Sequence, residues 1–189
     1  MARRIKKKLQ NDLMKFKNKN MARPDLSLTP PFYHNYIQLV PGDDLMAAFK
    51  KEGPSFIQFL ESIPSDKYDY RYAESKWTIR ELLQHIIDAE RIFGYRALRF
   101  ARKDATPLQG FDENLYAETS RADKRDWNDL VNEFKTVRKS SEYLFGSFDD
   151  DQLNATGVSS NKSISVIALA YIIIGHAIHH KKIMEERYL

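Results

Sequence analysis

Apolar side chains recur every three to four positions in four long stretches of this 189-residue chain, and this spacing constrains the fold more than any other feature. It is the spacing of an amphipathic α-helix, whereas no segment shows the convincing alternation of a half-buried strand. The sequence therefore predicts an all-α protein, a four-helix bundle. The predicted helices begin near residues 43–44, 78, 123–126 and 163, and they end near residues 63, 102, 146 and 189.

Local signals mark the ends of these helices. Thr78 and Glu81 have the spacing of a capping box at the start of the second helix. Gly53-Pro54 predicts a kink or a break in the first helix, and Ser163 is expected to cap the last one. The connection over residues 103–122 is long enough for the helices on either side of it to run parallel.

The positive charge of the chain is concentrated at its start. Residues 1–20 hold eight Lys or Arg and one Asp, whereas the rest of the chain holds 22 basic and 25 acidic residues. A basic tail before a mildly acidic body indicates nucleic-acid binding much less than a basic domain face does. We therefore expect no nucleic-acid partner, with a tail-dependent nucleic-acid binder as the hypothesis to exclude.

The chain divides into three predicted parts. MARR at position 1 is echoed by MARP at position 21, so we expect residues 1–20 to be an extension upstream of a biological start at Met21; a genuine helical arm is the alternative. Residues 21–42 contain four prolines and are expected to form an extended lead-in. Residues 43–189 are expected to form the bundle.

Cysteine is absent from the sequence, which excludes disulfides, thiolate metal sites and a cysteine nucleophile. The longest strongly apolar run, SVIALAYIIIG, is too short to span a bilayer. We therefore expect a cytoplasmic protein without a membrane partner.

The last predicted helix carries three of the five histidines in the chain. At about 100° per residue, His176 and His180 continue the apolar stripe of this helix into its second half. The stripe consists of Leu169, Ile172 and Ile173. His179 lies at the edge of the stripe, so His176 and His180 are the two that point into the predicted bundle.

Histidines at positions i and i+4 can bind one metal ion from successive turns of a helix. A third ligand must come from another helix, and His85 lies on the apolar stripe of the second one. The sequence therefore predicts a metal site of His85, His176 and His180, whereas His34 in the lead-in has no such position. Packed histidines that each find a hydrogen-bond partner are the alternative.

Three histidine ligands leave coordination positions open, so a bound water would have a lowered pKa and a bound thiol would ionise. Asp88, one turn after His85, is the candidate catalytic residue, either orienting a ligand or relaying a proton. Glu90 lies about 140° around the helix from His85, so we expect its side chain to be solvated.

The sequence resembles the DinB/YfiT-like superfamily over roughly residues 35–189. The resemblance is carried by WTIRELLQHIIDAERIFGYRALRFARKD, by LQGFDEN and by the C-terminal SISVIALAYIIIGHAIHH. It implies an up-down-down-up four-helix bundle. It also implies a divalent metal ion, zinc or nickel, held by His85, His176 and His180, with His179 not a ligand.

The same resemblance implies a class of activity. The superfamily includes S-transferases that use low-molecular-weight thiols such as bacillithiol or mycothiol, isomerases, members described as metal-dependent hydrolases, and some homodimers. We therefore expect a metal-dependent S-transferase or hydrolase that activates a thiol or water for attack on an electrophilic small molecule. The alternative is a non-catalytic, dimeric helical bundle with a structural metal site or packed histidines.

The loop before residue 115 offers three further candidates. Phe111, Asp112 and Asn114 can form the rim of a substrate pocket. The interpretation that we prefer is structural, with Phe111 anchoring the loop and Asn114 capping a short helix.

Overall fold

A computed structural model of the chain describes residues 22–189, so the predicted basic extension lies outside the described residues. Four long helices form the bundle, as predicted; one short helix precedes them, and two short helices and one hairpin lie in the connections between them. In chain order the elements are α1 (His34–Leu39), α2 (Leu45–Ser62), α3 (Ile79–Ala101), α4 (Glu113–Thr119), α5 (Trp127–Ser147), α6 (Asp150–Asn154), β1 (Thr156–Ser159), β2 (Lys162–Ser165) and α7 (Val166–Arg187).

The long helices begin at side-chain caps. The capping box of α3 is confirmed, because Thr78 accepts a hydrogen bond from the backbone of Glu81 while the Glu81 carboxylate accepts one from the backbone of Thr78. Asp44 caps α2 and Asp126 caps α5. The last helix is capped by Ser165 and not by Ser163, because residues 162–165 first form strand β2.

Helix α2 continues through Pro54 without the predicted break. Phe49 before the proline and Phe56 after it are both buried, and they contact aromatic rings of α5, Phe145 and Phe134 respectively. Packing on both sides therefore keeps the helix in one piece, although Pro54 itself disfavours it.

A two-stranded antiparallel hairpin precedes α7, which the sequence did not predict. Thr156 pairs with Ser165 and Ser159 pairs with Lys162, and the two turn residues, Ser160 and Asn161, have φ values of 49° and 60°. These values fit the two-residue turn that matches the twist of a hairpin. Strands of four residues are too short for alternation to stand out in the sequence.

The lead-in is folded against the bundle instead of being extended. Pro31 begins a 3-10 turn, Pro31–Tyr33, that leads into α1, because proline is well tolerated at the first position of a helix. The guanidinium of Arg23 donates to the carbonyls of Ile37, Val40 and Gly42, which closes the carboxyl end of α1.

Helix α1 crosses α7 at very short range. A Cβ atom on Gly175 would lie 1.8 Å from the carbonyl oxygen of Tyr36, so only glycine permits this approach. The crossing brings α1 beside His176, the residue that follows Gly175.

The core consists of two hydrophobic clusters that meet in the middle of α7. The buried apolar residues of α7 up to Ile174 belong to one cluster, and Ala177 and Met184 belong to the other. His176 and His180 lie around this junction. In the part of the chain that the structure describes, no helix is both long and apolar enough to cross a bilayer.

Candidate metal centre

The structure brings His85, His176 and His180 together, as the sequence predicted. The Nε2 atom of His176 lies 3.0 Å from Nε2 of His85 and 3.0 Å from Nε2 of His180. Among the described residues these three form the group of potential metal-binding side chains whose ligand atoms all lie within 4.8 Å of one another.

Each imidazole is held by neighbouring aromatic rings. The ring of His85 lies 4.7 Å from the ring of Trp77, centroid to centroid. Tyr36 of α1 contacts His176 edge-to-face at 5.4 Å. His180 follows one turn later on α7, with its ring 4.4 Å from that of His176. The site therefore joins α3 and α7, and α1 covers one side of it.

Burial keeps these imidazoles neutral at ordinary pH. Desolvation lowers the pKa of His85 to about 4. The pKa values of His176 and His180 are lowered well below the usual range, chiefly by burial and further by the neighbouring histidines. Neutral imidazole is the form that binds metal ions.

Three neutral imidazoles cannot satisfy one another in this arrangement. The Nε2 of His176 faces two other Nε2 atoms, yet one nitrogen of a neutral ring either donates or accepts and cannot do both. Nitrogen atoms that share one tetrahedral zinc ion at about 2.0–2.1 Å lie about 3.3 Å apart, within a few tenths of an ångström of the 3.0 Å in this structure. The donor set and its spacing therefore fit a single divalent transition-metal ion.

One feature departs from a fully supported metal site. Nδ1 of His180 is buried and has no hydrogen-bond partner within the described residues. Metal-bound histidines normally donate this second N–H to an oxygen atom. The ring of His180 is thus oriented by packing against His85 and His179 instead of by a hydrogen bond.

Asp88 lies outside the group of three histidines. Its Oδ1 atom accepts a hydrogen bond from Gln84 and lies 3.8 Å from the guanidinium of Arg91. Both Gln84 and Arg91 are also tied to the Arg125–Glu133 ion pair at the start of α5. Burial raises the pKa of Asp88.

Glu90 is buried, so the prediction that its side chain is solvated was wrong. Its Oε2 accepts hydrogen bonds from the guanidinium of Arg138 at 2.8 and 3.2 Å, and only 2% of Glu90 is exposed. Helix α3 packs against α5 as well as against α7, which gives it two buried sides. Burial raises the pKa of Glu90, and the charge of Arg138 opposes that shift.

The three histidines line a cavity of about 530 Å³. This volume lies within the usual range for small-molecule sites, about 300–1,000 Å³. Its walls come from the lead-in and α1, from α3 and α7, from the loop before α4 with the first residue of that helix, and from the hairpin. Its aromatic lining consists of Phe32, Tyr33, Tyr36, Trp77, Phe93 and Phe111.

The remaining two histidines lie outside the group of His85, His176 and His180. His34 contacts the carbonyl oxygen of Thr29 at 2.8 Å. His179 is half-buried and its ring contacts Tyr36 and His180.

The loop before α4 reaches the cavity through Phe111, which lines it. Asp112 caps α4 by accepting hydrogen bonds from the backbones of Asn114 and Leu115. The expectation that Asn114 is the cap was therefore wrong, because the cap and the start of the helix both lie two residues earlier, at Asp112 and Glu113.

Two cations in the cavity were not recognised as site residues from the sequence. Arg96 lies on the α3 stripe that also carries His85, and Lys162 comes from strand β2. The sequence did contain a signal for Arg96, because a charged residue on an apolar helix stripe is unusual. Lys162 gave no signal, because the hairpin itself was not predicted.

A helical bundle in which histidines of α3 and α7 meet at an aromatic cavity is typical of a metal-binding protein. Comparison with known proteins identifies the family. The DinB superfamily model matches residues 48–184. The chain belongs to the DinB superfamily. No curated protein sequence matches it.

The solved structures that share this fold include the following two. One is YfiT from Bacillus subtilis, described as a probable metal-dependent hydrolase with an unusual four-helix bundle topology; it is 15% identical, with a TM-score of 0.67 over 88% of this chain and 95% of YfiT. The other is a mycothiol-dependent maleylpyruvate isomerase, 10% identical, with a TM-score of 0.62 over 73% of this chain and 58% of that one.

Proposed function

We propose that His85, His176 and His180 bind one divalent metal ion, zinc or nickel. The observation that carries this proposal is the approach of three Nε2 atoms from two helices, two of the distances being 3.0 Å. Imidazole nitrogen suits both metals, and one cation would satisfy all three facing nitrogens.

We propose further that the protein is a metal-dependent S-transferase or hydrolase acting on an electrophilic small molecule. When bound, the metal ion would lower the pKa of a water or of a low-molecular-weight thiol, which makes either one nucleophilic near neutral pH. Support comes from the fold shared with a probable metal-dependent hydrolase and with a mycothiol-dependent isomerase.

The residues of the chain have two tasks in this proposal. The histidines hold the reactive end of the site at one place in the cavity. The rings of Tyr36, Trp77 and Phe93 line the cavity and exclude water from around the substrate, which strengthens electrostatic interactions there.

The role of Asp88 in orienting a ligand or relaying a proton stays a prediction. Asp88 accepts a hydrogen bond from Gln84, one turn earlier on α3. His85 lies on the same helix, next to Gln84. Asp88→Asn keeps the size of the side chain and a hydrogen-bond acceptor but removes the negative charge. A loss of kcat in the metal-replete variant would support the role, and unchanged kcat would contradict it.

Metal content is the first test. Purified, untagged protein is expected to hold about one transition-metal ion per chain, and a His85→Ala/His176→Ala variant is expected to hold none. His34→Ala is the matched control, because His34 contacts only a backbone carbonyl of the lead-in. A wild-type protein that takes up neither zinc nor nickel when they are offered would refute the metal centre and with it this enzyme mechanism.

The alternative is a non-catalytic bundle whose metal is structural. The two proposals differ in whether a ligand from solution reaches the metal. In cobalt-substituted protein, a low-molecular-weight thiol is expected to change the visible absorption spectrum if the site is catalytic. An unchanged spectrum at saturating thiol would favour the structural site.

A cytoplasmic location and a homodimer belong to the same proposal, and no nucleic-acid partner is proposed. Light scattering on the purified protein tests the dimer. Salt-sensitive nucleic-acid binding that persists after deletion of residues 1–20 would contradict our view of the tail.

A further inference from the structure

Arg96 is a buried cation without an acidic partner. Only 3% of the residue is exposed. Its guanidinium donates to the carbonyl oxygen of Gln109 at 3.0 Å and lies 3.5 Å from Oγ of Ser160, and it also interacts with the hydroxyl of Tyr33. Within the described residues, no carboxylate lies within ion-pair distance of it.

The contrast with Arg138 shows what is missing. Arg138 is equally buried, and Glu90 lies 2.8 Å from its guanidinium. Burying a charged group is costly unless it is paired. Arg96 has five N–H donors, and the acceptors it contacts, the carbonyl of Gln109 and the hydroxyl of Ser160, are neutral. No negative group of the described residues pairs with its positive charge.

The surroundings of Arg96 suit a planar anion. The rings of Phe93 and Phe111 lie 5.8 and 5.9 Å from the guanidinium carbon, so they restrict the plane in which the guanidinium can lie. The guanidinium presents a fork of donors that matches a carboxylate. Lys162 from strand β2 lines the same cavity and adds a second positive charge.

Glu113 also lines the cavity, but it does not neutralise Arg96. The negative charge of Glu113 contributes to the raised pKa values of Tyr33 and Tyr36, and it makes no ion pair with Arg96 in the described structure. With the histidines neutral, the lining therefore carries two cations and one anion.

We propose that Arg96, supported by Lys162, binds a carboxylate of the organic molecule that occupies this cavity. The ligand is then an organic carboxylate with an apolar middle, whose carboxylate lies at Arg96 and whose other end lies toward the three histidines. This inference rests on the proposed function for its choice of a small-molecule ligand, and it names the class of that ligand.

The test compares two ligands that differ in one group, 4-phenylbutyrate and its neutral amide, by titration calorimetry on the full-length, chelator-treated protein. Removing the metal excludes binding of the carboxylate to the metal itself. We expect the carboxylate to bind at least about tenfold more tightly than the amide, as a charge-assisted pair implies.

Four variants locate the effect. Arg96→Met and, separately, Lys162→Met are expected to reduce the preference for the carboxylate. Arg102→Met and Lys124→Met are the matched controls, because both residues are exposed and lie outside the cavity lining. Lys162 is exposed on the hairpin, so its variant keeps the test valid if loss of Arg96 disturbs folding.

Two results would overturn the inference. One is equal affinity for the two ligands, including no measurable affinity for either. The other is a preference that survives in Arg96→Met and Lys162→Met, or that disappears equally in the controls. The His85→Ala/His176→Ala variant is expected to keep the preference, so failure of the metal proposal and failure of this one give different results.

Discussion

At the scale of single residues, the bundle contains two buried arginines with opposite roles. Arg138 is neutralised by Glu90, and its guanidinium also lies over the rings of Phe49 and Phe134. Arg96 lies in the cavity wall with neutral partners. The first arginine therefore joins α3 to α5, whereas the second leaves charge for a ligand.

Removing Arg138 tests the first of these roles. Arg138→Met is expected to lower the free energy of unfolding by about 3–5 kcal/mol, because it leaves Glu90 buried and uncompensated. Urea denaturation measures the loss. Arg138→Met/Glu90→Gln is expected to recover part of it, and a double variant no more stable than the single one would contradict this explanation.

The same variant should show a pH dependence of known sign. Burial raises the pKa of Glu90 in the folded state above its usual value of 4.5, and loss of Arg138 raises it further. The folded protein then binds a proton that the unfolded chain has released, so stability falls as pH rises from about 4.5 through the folded pKa. Urea titrations of Arg138→Met from pH 4.5 to 8 measure the fall; stability that rises with pH would contradict it.

At the scale of elements, the contact between α1 and α7 places an aromatic ring beside the three histidines. Gly175 allows the backbone of Tyr36 to approach α7, and the ring of Tyr36 then packs against His176 and His179. A residue without a side chain thus lets the ring of Tyr36 pack against His176, one of the three histidines of the site.

Substituting Gly175 should disturb stability and metal binding together. Gly175→Ala would place a methyl group 1.8 Å from the carbonyl oxygen of Tyr36, so α1 must move away. We expect a lower melting temperature and weaker metal affinity, measured by thermal unfolding and by competition with a chelator. Gly94→Ala is the control, because its nearest neighbour would be a Leu144 methyl group at 3.9 Å, and it is expected to be neutral or to stabilise α3 by about 0.5–1 kcal/mol. Equal effects of the two substitutions would contradict the role of the crossing.

The start of α3 depends on its capping box. Thr78→Ala removes the side-chain acceptor for the backbone of Glu81 and is expected to cost about 1 kcal/mol. Chemical denaturation measures the change. Thr78→Ser retains the hydroxyl and is the matched control; a comparable loss in both would assign the effect to packing of the methyl group.

At the scale of the whole molecule, the histidines lie where two hydrophobic clusters meet. A cation shared by α3 and α7 would bind only the folded chain and would join the two halves of the core. Its binding free energy would therefore add to the free energy of unfolding.

This linkage predicts a metal-dependent melting temperature. Zinc at about 100 times its dissociation constant is expected to add about 2.7 kcal/mol to the free energy of unfolding. Differential scanning calorimetry with zinc and with chelator measures the shift. His180→Ala is expected to abolish the shift and His34→Ala to retain it. A shift that persists in His180→Ala would mean that zinc binds elsewhere.

The sequence by itself determined the helices and the three histidines. Helical periodicity records which side of a helix is buried, and His85, His176 and His180 all lie on such sides. The Thr78 capping box is equally local, since both of its residues lie within one turn. The up-down-down-up order of the helices stays a prediction of the family resemblance.

Only the tertiary structure decided which element packs against each buried face of a helix. Glu90 was predicted to be solvated because one stripe of α3 was considered, but α5 packs on a second side. Contacts between segments far apart in the chain decide how residues 22–42 fold. They also decide that Arg96 and Lys162 line the same cavity. Periodicity within one segment carries no information about such partners, which is why the three histidines were predictable and the rest of the cavity was not.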